Sequence, residues 1–276
     1  VYSVMNRQRS GFYAHQRAYN NCCSHTKPPS NPEIIKSGLV IHLDVNDTTS
    51  YPGSGNTWIN IGNGGTTYNA TLRGNIQPTF ESGVIDSFHF VGYLLTSTSD
   101  YLGYNYMSIT RPVNDVMIGN FTYSAWIKTT AVGGGLNHNT LRYIISAEVT
   151  AVNDDFGFGI DMNGKLTYGD GKMFGIDYTV HSNAPVNTGE WTFVAVTRNM
   201  ATGRVVLYIN GAVDKVGVCN VGNSLDAAPY TLIGSQADFP GYTFDGNIGT
   251  ILGYNIVLTN SQVLNNYNVQ KSSYGL

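Results

Sequence analysis

Apolar residues that alternate one by one with small or polar ones, in short runs closed by Asn-Gly pairs, constrain this chain more than any other feature. Across 156–161, Phe156, Phe158 and Ile160 alternate with Gly157, Gly159 and Asp161, and Asn163 and Gly164 follow. Side chains two apart share one face of a strand, and an Asn-Gly pair supplies the positive backbone angles of a tight hairpin turn. Leu166 and Tyr168 then resume the alternation. Val205, Leu207 and Ile209 lead in the same way to a second hairpin at Asn210 and Gly211. Trp191, Phe193 and Ala195 alternate with Thr192 and Val194, and Phe121, Tyr123, Ala125 and Ile127 form another run with Trp126 on its opposite face. Many short strands separated by Gly and Asn turns predict an all-β, two-sheet antiparallel sandwich. One short helix is expected near the end, where Thr259 and Gln262 form a capping box and Val263, Leu264 and Tyr267 keep helical spacing. No segment repeats at a period of 20 to 50 residues, so the strands belong to one domain rather than an array.

Composition agrees. The 276 residues include 32 Gly and 29 Asn, and 42% hydrophobic content is enough to bury a core. No apolar run approaches the roughly 18 residues of a membrane span. Only 12% of residues are charged, with a net charge of -3, which argues against a nucleic-acid partner. The charge is unevenly divided. Up to position 37, Arg7, Arg9, Arg17, Lys27 and Lys36 oppose Glu33 alone, whereas the rest of the chain carries 10 basic and 17 acidic residues. With Pro28, Pro29 and Pro32 at its end, 1–37 reads as an extended basic N-terminal arm and hinge preceding one acidic domain, 38–276. Too hydrophilic to order itself, the arm either lies along its own domain or grips a neighbouring copy, with Arg7, Arg9, Phe12, Tyr13, Arg17 and Tyr19 as the contact residues.

Cys22, Cys23 and Cys219 have no metal-ligand spacing. Adjacent cysteines seldom bridge each other, so the alternatives are a disulfide from one arm cysteine to Cys219, within or between chains, or three reduced thiols.

The segments Gly38-Leu-Val-Ile-His-Leu-Asp44, Phe121-Thr-Tyr-Ser-Ala-Trp126, Gly189-Glu-Trp191-Thr-Phe-Val-Ala-Val196, Leu207-Tyr-Ile-Asn-Gly211 and Phe244-Asp-Gly246-Asn-Ile248 occur in a telling order and spacing. Together they resemble the concanavalin A-like, laminin-G-like jelly-roll family over about 38–267, closest to its phage and large-virus members. The resemblance implies two curved sheets, calcium in loops at one rim, and sugar or protein contacts nearby. It also assigns Trp58, Trp126 and Trp191 to packing.

Calcium takes six to eight oxygens, so acidic residues in turns are its candidate ligands: Asp44, Asn46 and Asp47; Asp154 and Asp155; Asp238; and Asp245. The competing reading is that these side chains cap turns by accepting from backbone amides. Hydrolysis of a glycoside needs two carboxyl groups about 5 to 9 Å apart. The four glutamates, Glu33, Glu81, Glu148 and Glu190, are scattered singly, and His42, His89, His138 and His181 lack zinc spacing, so no enzyme is expected. Tyr101, Tyr104, Asn105 and Tyr106 cluster where a sugar or a protein could be met. Asn46, Asn69 and Asn120 head sequons, no more than chance gives, so glycosylation is permitted rather than indicated.

These features predict a non-enzymatic structural subunit of an extracellular or virion-surface assembly, a fibre, filament or shell, self-associating through its arm and calcium-stabilised. The alternative is a secreted calcium-dependent carbohydrate-binding or adhesion module. The arm decides between them.

Overall fold

A computed structural model describes residues 32–92, 105–109, 118–149, 154–171, 178–222, 224–226, 230–236 and 242–276. The arm residues Arg7, Arg9, Phe12, Tyr13, Arg17 and Tyr19 lie outside the described residues, as do Cys22, Cys23, Tyr101, Tyr104 and Asp238. All the described strands and the helix belong to the unit Ile34–Leu276.

The first half of this unit contributes β1 (Leu39–Leu43), β2 (Thr57–Trp58), β3 (Ala70–Arg73), β4 (Thr79–Glu81), β5 (Ser87–Phe90), β6 (Tyr106–Ile109), β7 (Phe121–Lys128) and β8 (Arg142–Ser146). The second half adds β9 (Phe156–Ile160), β10 (Lys165–Asp170), β11 (Tyr178–Pro185), β12 (Thr192–Asn199), β13 (Arg204–Ile209), β14 (Ala212–Val218), β15 (Thr231–Ile233) and β16 (Gly246–Tyr254). One helix, α1 (Asn260–Gln270), follows. The strands form two eight-stranded sheets. The first runs β14-β13-β12-β7-β16-β5-β4, with β1 also paired to β16; the second runs β11-β10-β9-β8-β15-β6-β3-β2. Every ladder is antiparallel. The fold is thus the expected all-β jelly-roll sandwich with a short C-terminal helix.

Alternation places the core. Phe121, Tyr123, Ala125 and Ile127 from β7 meet Phe156, Phe158 and Ile160 from β9 between the sheets. The first sheet is apolar on its other face as well. There Trp126, Phe193, Ala195, Val206 and Tyr208 form a second, smaller core closed by Ile34, Val263 and Tyr274. That is why β12 is almost wholly buried while alternating: Val194 and Val196 face the other sheet, Phe193 and Ala195 face the helix.

The capping box forms as expected, with the Thr259 side chain accepting from the Gln262 amide. The buried face of α1 differs from expectation. Leu264 is exposed, whereas Asn266 and Gln270 are buried. The reason is polar docking: Asn266 Oδ1 accepts from the Ile35 amide at 2.9 Å, and Trp126 Nε1 donates to Gln270 Oε1 at 2.8 Å. Trp126 also stacks on Tyr274, ring centroids 4.1 Å apart. Trp58 and Trp126 are fully enclosed and Trp191 packs against the smaller core, so all three serve packing.

The two hairpins divide. Asn210 and Gly211 both take positive φ, 49° and 77°, as the Asn-Gly rule requires. In the other, only Gly164 does, at 72°. Asp161 Oδ1 accepts from the amides of Asn163 and Lys165, and this carboxylate cap folds a longer turn in which Asn163 keeps ordinary backbone angles.

Candidate functional site

Glycines shape the outer face of the second sheet. Phe156 and Phe158 point into the core, so Gly157 points out, and it pairs directly with Gly169 of β10. Neither contributes a side chain, which leaves a trough. The 129–141 connection lies in it, with a turn at His138–Thr140. A Cβ on Gly157 would stand 2.5 Å from the His138 carbonyl oxygen, and one on Gly169 would stand 2.5 Å from the His138 Cβ. The glycines are therefore the condition for seating His138, which is only 2% exposed.

Two carboxylates meet it there. The Ala147 amide donates to the Phe156 carbonyl at 3.0 Å, extending the β8–β9 ladder past its ends. Glu148 and Asp155 consequently come opposite each other on the outer face, 5% and 1% exposed. His138 Nε2 lies 3.1 Å from Glu148 Oε2. One donor atom from each of His138, Glu148 and Asp155 falls within 4.8 Å of the other two. The Val149 amide holds Asp155 Oδ2 at 3.1 Å, and Ser146 Oγ accepts from the Glu148 amide at 2.9 Å. Burial, and then the neighbouring Glu148 charge, push the Asp155 carboxyl up to about 7. The same two causes raise the nearby Tyr143 hydroxyl. Glu148 Oε2 is enclosed and receives no hydrogen bond of proper geometry.

Of the acidic residues singled out in the sequence, among the described residues only Asp155 joins a group of three His, Cys, Asp or Glu side chains. Asp44 Oδ1 accepts from the Asn46 amide at 3.0 Å and from Thr250 Oγ1 at 2.9 Å. Asp47 Oδ1 accepts from the amide and hydroxyl of Thr49. Burial raises the Asp44 carboxyl, but hydrogen bonds from His42, the Asn46 amide and Thr250 outweigh it and hold it low. Asp44 and Asp47 thus accept hydrogen bonds from within their own turn, and Asp44 also from His42 and Thr250 outside it. Asp154 adopts a left-handed φ of 67°, and Asp245 faces the charge of Arg142.

The remaining candidates also have places. Asn105 is buried rather than presented at a rim, because it leads into β6 between flanking strands, and Tyr106 is half-buried. Cys219 is a free, buried thiol, raised by burial and by the Asp170 charge. Asn46 and Asn120 are exposed, Asn120 Oδ1 accepting from the Met200 amide, and Asn69 is half-buried with its Oδ1 bonded to the Asn60 amide.

An open cleft of about 350 Å³ lies where β11 adjoins β14. Lys165, Thr179, His181, Asn183 and Lys215 line it. His181 Nδ1 is 2.8 Å from Oδ2 of the fully buried Asp161, and Thr167 Oγ1 is 3.1 Å from the same nitrogen. Asn183 donates through Nδ2 to the Asp214 carbonyl at 2.6 Å, tying the two edge strands together. A larger recess of about 600 Å³ sits at the start of α1, but its wall is the helix's own docking contact, Tyr208 to Asn260 at 2.9 Å.

Two antiparallel sheets, with a Gly-lined outer trough and an open edge cleft, make up this jelly roll. Residues 102–264, more than half of the chain, match the laminin-G-type family model of the concanavalin A-like lectin/glucanases superfamily, and the chain belongs to that superfamily. Among similar solved structures is the binding domain of Paraclostridial Mosquitocidal Protein 1, with a TM-score of 0.58, 14% identity, and coverage of 84% of this chain and 52% of that one. Another is domain 4 of a Geobacillus stearothermophilus extracellular arabinanase in complex with arabinotriose, with a TM-score of 0.57, 19% identity, and coverage of 84% and 100%. A third is the binding domain of botulinum neurotoxin DC in complex with SialylT, with a TM-score of 0.56, 17% identity, and coverage of 85% and 51%. The chain spans about half the length of the two toxin binding domains. No curated protein matches the sequence. The expected resemblance thus holds at the level of the superfamily, without a particular tie to virus structural proteins.

Proposed function

We propose that this chain is a secreted, non-enzymatic carbohydrate-binding module that presents glycans to the cleft between β11 and β14. The observation that carries the reading is His181, fixed by the buried Asp161 and surrounded by Lys165, Thr179, Asn183 and Lys215 in an open concavity. Donors and acceptors held in place at a shallow surface suit a hydroxyl-rich ligand. Similar folds support it, since one was solved with arabinotriose and another with SialylT. A glycosidase would need its two carboxyl groups open to the sugar. The Glu148 and Asp155 pair is buried instead.

Glycan-array screening followed by calorimetric titration with arabinotriose and a sialylated oligosaccharide tests the reading. Binding should fall about tenfold or more in His181→Ala, as expected for losing a fixed hydrogen-bonding group. Absence of binding to every glycan at millimolar concentration, together with large assemblies in light scattering of the full chain, would return the arm-mediated structural subunit to first place.

A further inference from the structure

We propose that His138, Glu148 and Asp155 form a buried structural site for a zinc-type divalent cation, beneath the 129–141 connection and apart from the cleft. The three ligands come from three separate segments, and their donor atoms already converge within 4.8 Å. Two ligands of a four-coordinate zinc, each about 2.0–2.1 Å from the ion, stand roughly 3.3 Å apart in a tetrahedron. His138 Nε2 and Glu148 Oε2 are 3.1 Å apart.

Charge points the same way. Two carboxylates enclosed side by side repel, and a buried charge is tolerated when paired or when it coordinates a metal. A divalent ion with a neutral imidazole and two carboxylates is balanced. The enclosed Glu148 Oε2 meets His138 Nε2 at 3.1 Å but without hydrogen-bond geometry, as two ligands of one ion would. A nitrogen ligand and only three converging donors select against calcium, which prefers oxygen and takes six to eight ligands; imidazole with carboxylate suits zinc or cobalt. The Val149 amide orients the Asp155 carboxylate, as the second layer of a metal site does, and Ser146 Oγ fixes the backbone of Glu148 by accepting from its amide. The ion would lock the connection onto the sheet.

The test uses the full chain. Elemental analysis of protein purified without chelator should give close to one zinc per chain after dialysis. Stripped protein should gain Tm on addition of zinc or cobalt and not of calcium, and cobalt should produce the visible absorption of a low-symmetry site. Glu148→Gln should lose both the bound metal and the Tm response while its far-ultraviolet circular dichroism stays that of the parent; should it fail to fold, His138→Asn is read by the same measurements. Stripped protein whose Tm ignores a hundredfold excess of zinc and cobalt overturns the proposal. So does zinc uptake that Glu148→Gln and His138→Asn both retain.

Discussion

Arg198 on β12 meets Asp170 on β10 across the sandwich, Nε to Oδ2 2.8 Å, with neither side chain exposed. The pair is anchored on both sides. Arg198 also donates to the carbonyls of Gly119 and Asn220, while Asp170 accepts from Tyr168 and from the amide and side chain of Asn220. Removing one partner of such a pair strands a buried charge, and Arg198→Met or Asp170→Leu should each lower stability by about 3–5 kcal/mol. Equilibrium urea unfolding reads this directly. The double substitution Arg198→Met with Asp170→Leu should recover much of the loss, and additive losses would mean that the pair is not coupled.

Gly157→Ala and Gly169→Ala should each destabilise by about 1–3 kcal/mol through overpacking, because the new methyl meets His138. The sharper readout is local. Hydrogen exchange should quicken in the 129–141 connection more than in the β12–β13 hairpin, and a uniform change across the protein would contradict the seating of His138 by the trough.

In metal-stripped protein, the Asp155 carboxyl is faced by Glu148, His138 and Tyr143 and sits at about 7, against 3.8 for an ordinary aspartate. A folded-state value raised in this way makes the protonated form the stable one. The contribution is full below the unfolded value, near 4, and disappears as pH rises through 7. Between pH 4 and 8 the parent should therefore lose stability relative to Asp155→Asn. Denaturant midpoints compared at several pH values check the slope; parallel curves for the two proteins would exclude it.

Gln270→Ala leaves Trp126 Nε1 enclosed without its acceptor. The expected loss is about 1–3 kcal/mol. Tryptophan fluorescence should report a looser Trp126 together with the lowered Tm, and an unchanged Tm would show that the Trp126–Gln270 bond contributes nothing to docking the helix.

The sandwich is legible in the sequence because its signal is local. Period-two runs such as Phe156, Phe158 and Ile160 declare a face within five residues, and Asn210-Gly211 declares a turn within two. The capping box locates the helix, but helical spacing of apolar residues misassigns its buried face. Asn266 and Gln270 look like surface residues until Ile35 and Trp126, more than 140 positions away, supply their partners. The same limit applies to the site. Asp155 stands out as acid beside acid, whereas His138 and Glu148 sit ten residues apart with no motif between them and meet only once Gly157 and Gly169 seat His138 beside the β8–β9 ladder. Gly157 and Gly169 carry the available clue, since glycine inside a strand marks a close approach of backbone.

The pairing of Leu39 with Tyr254 and of Leu43 with Ile251 sets β1 beside β16, and β7 flanks β16 on its other side. A strand made at the beginning of this unit must therefore wait for one made about two hundred positions later. On the ribosome the first sheet stays split along its middle until β16 has emerged, exposing unzipped strand edges in the meantime. Closure of the first sheet is accordingly a late event that rests on contacts between distant parts of the chain.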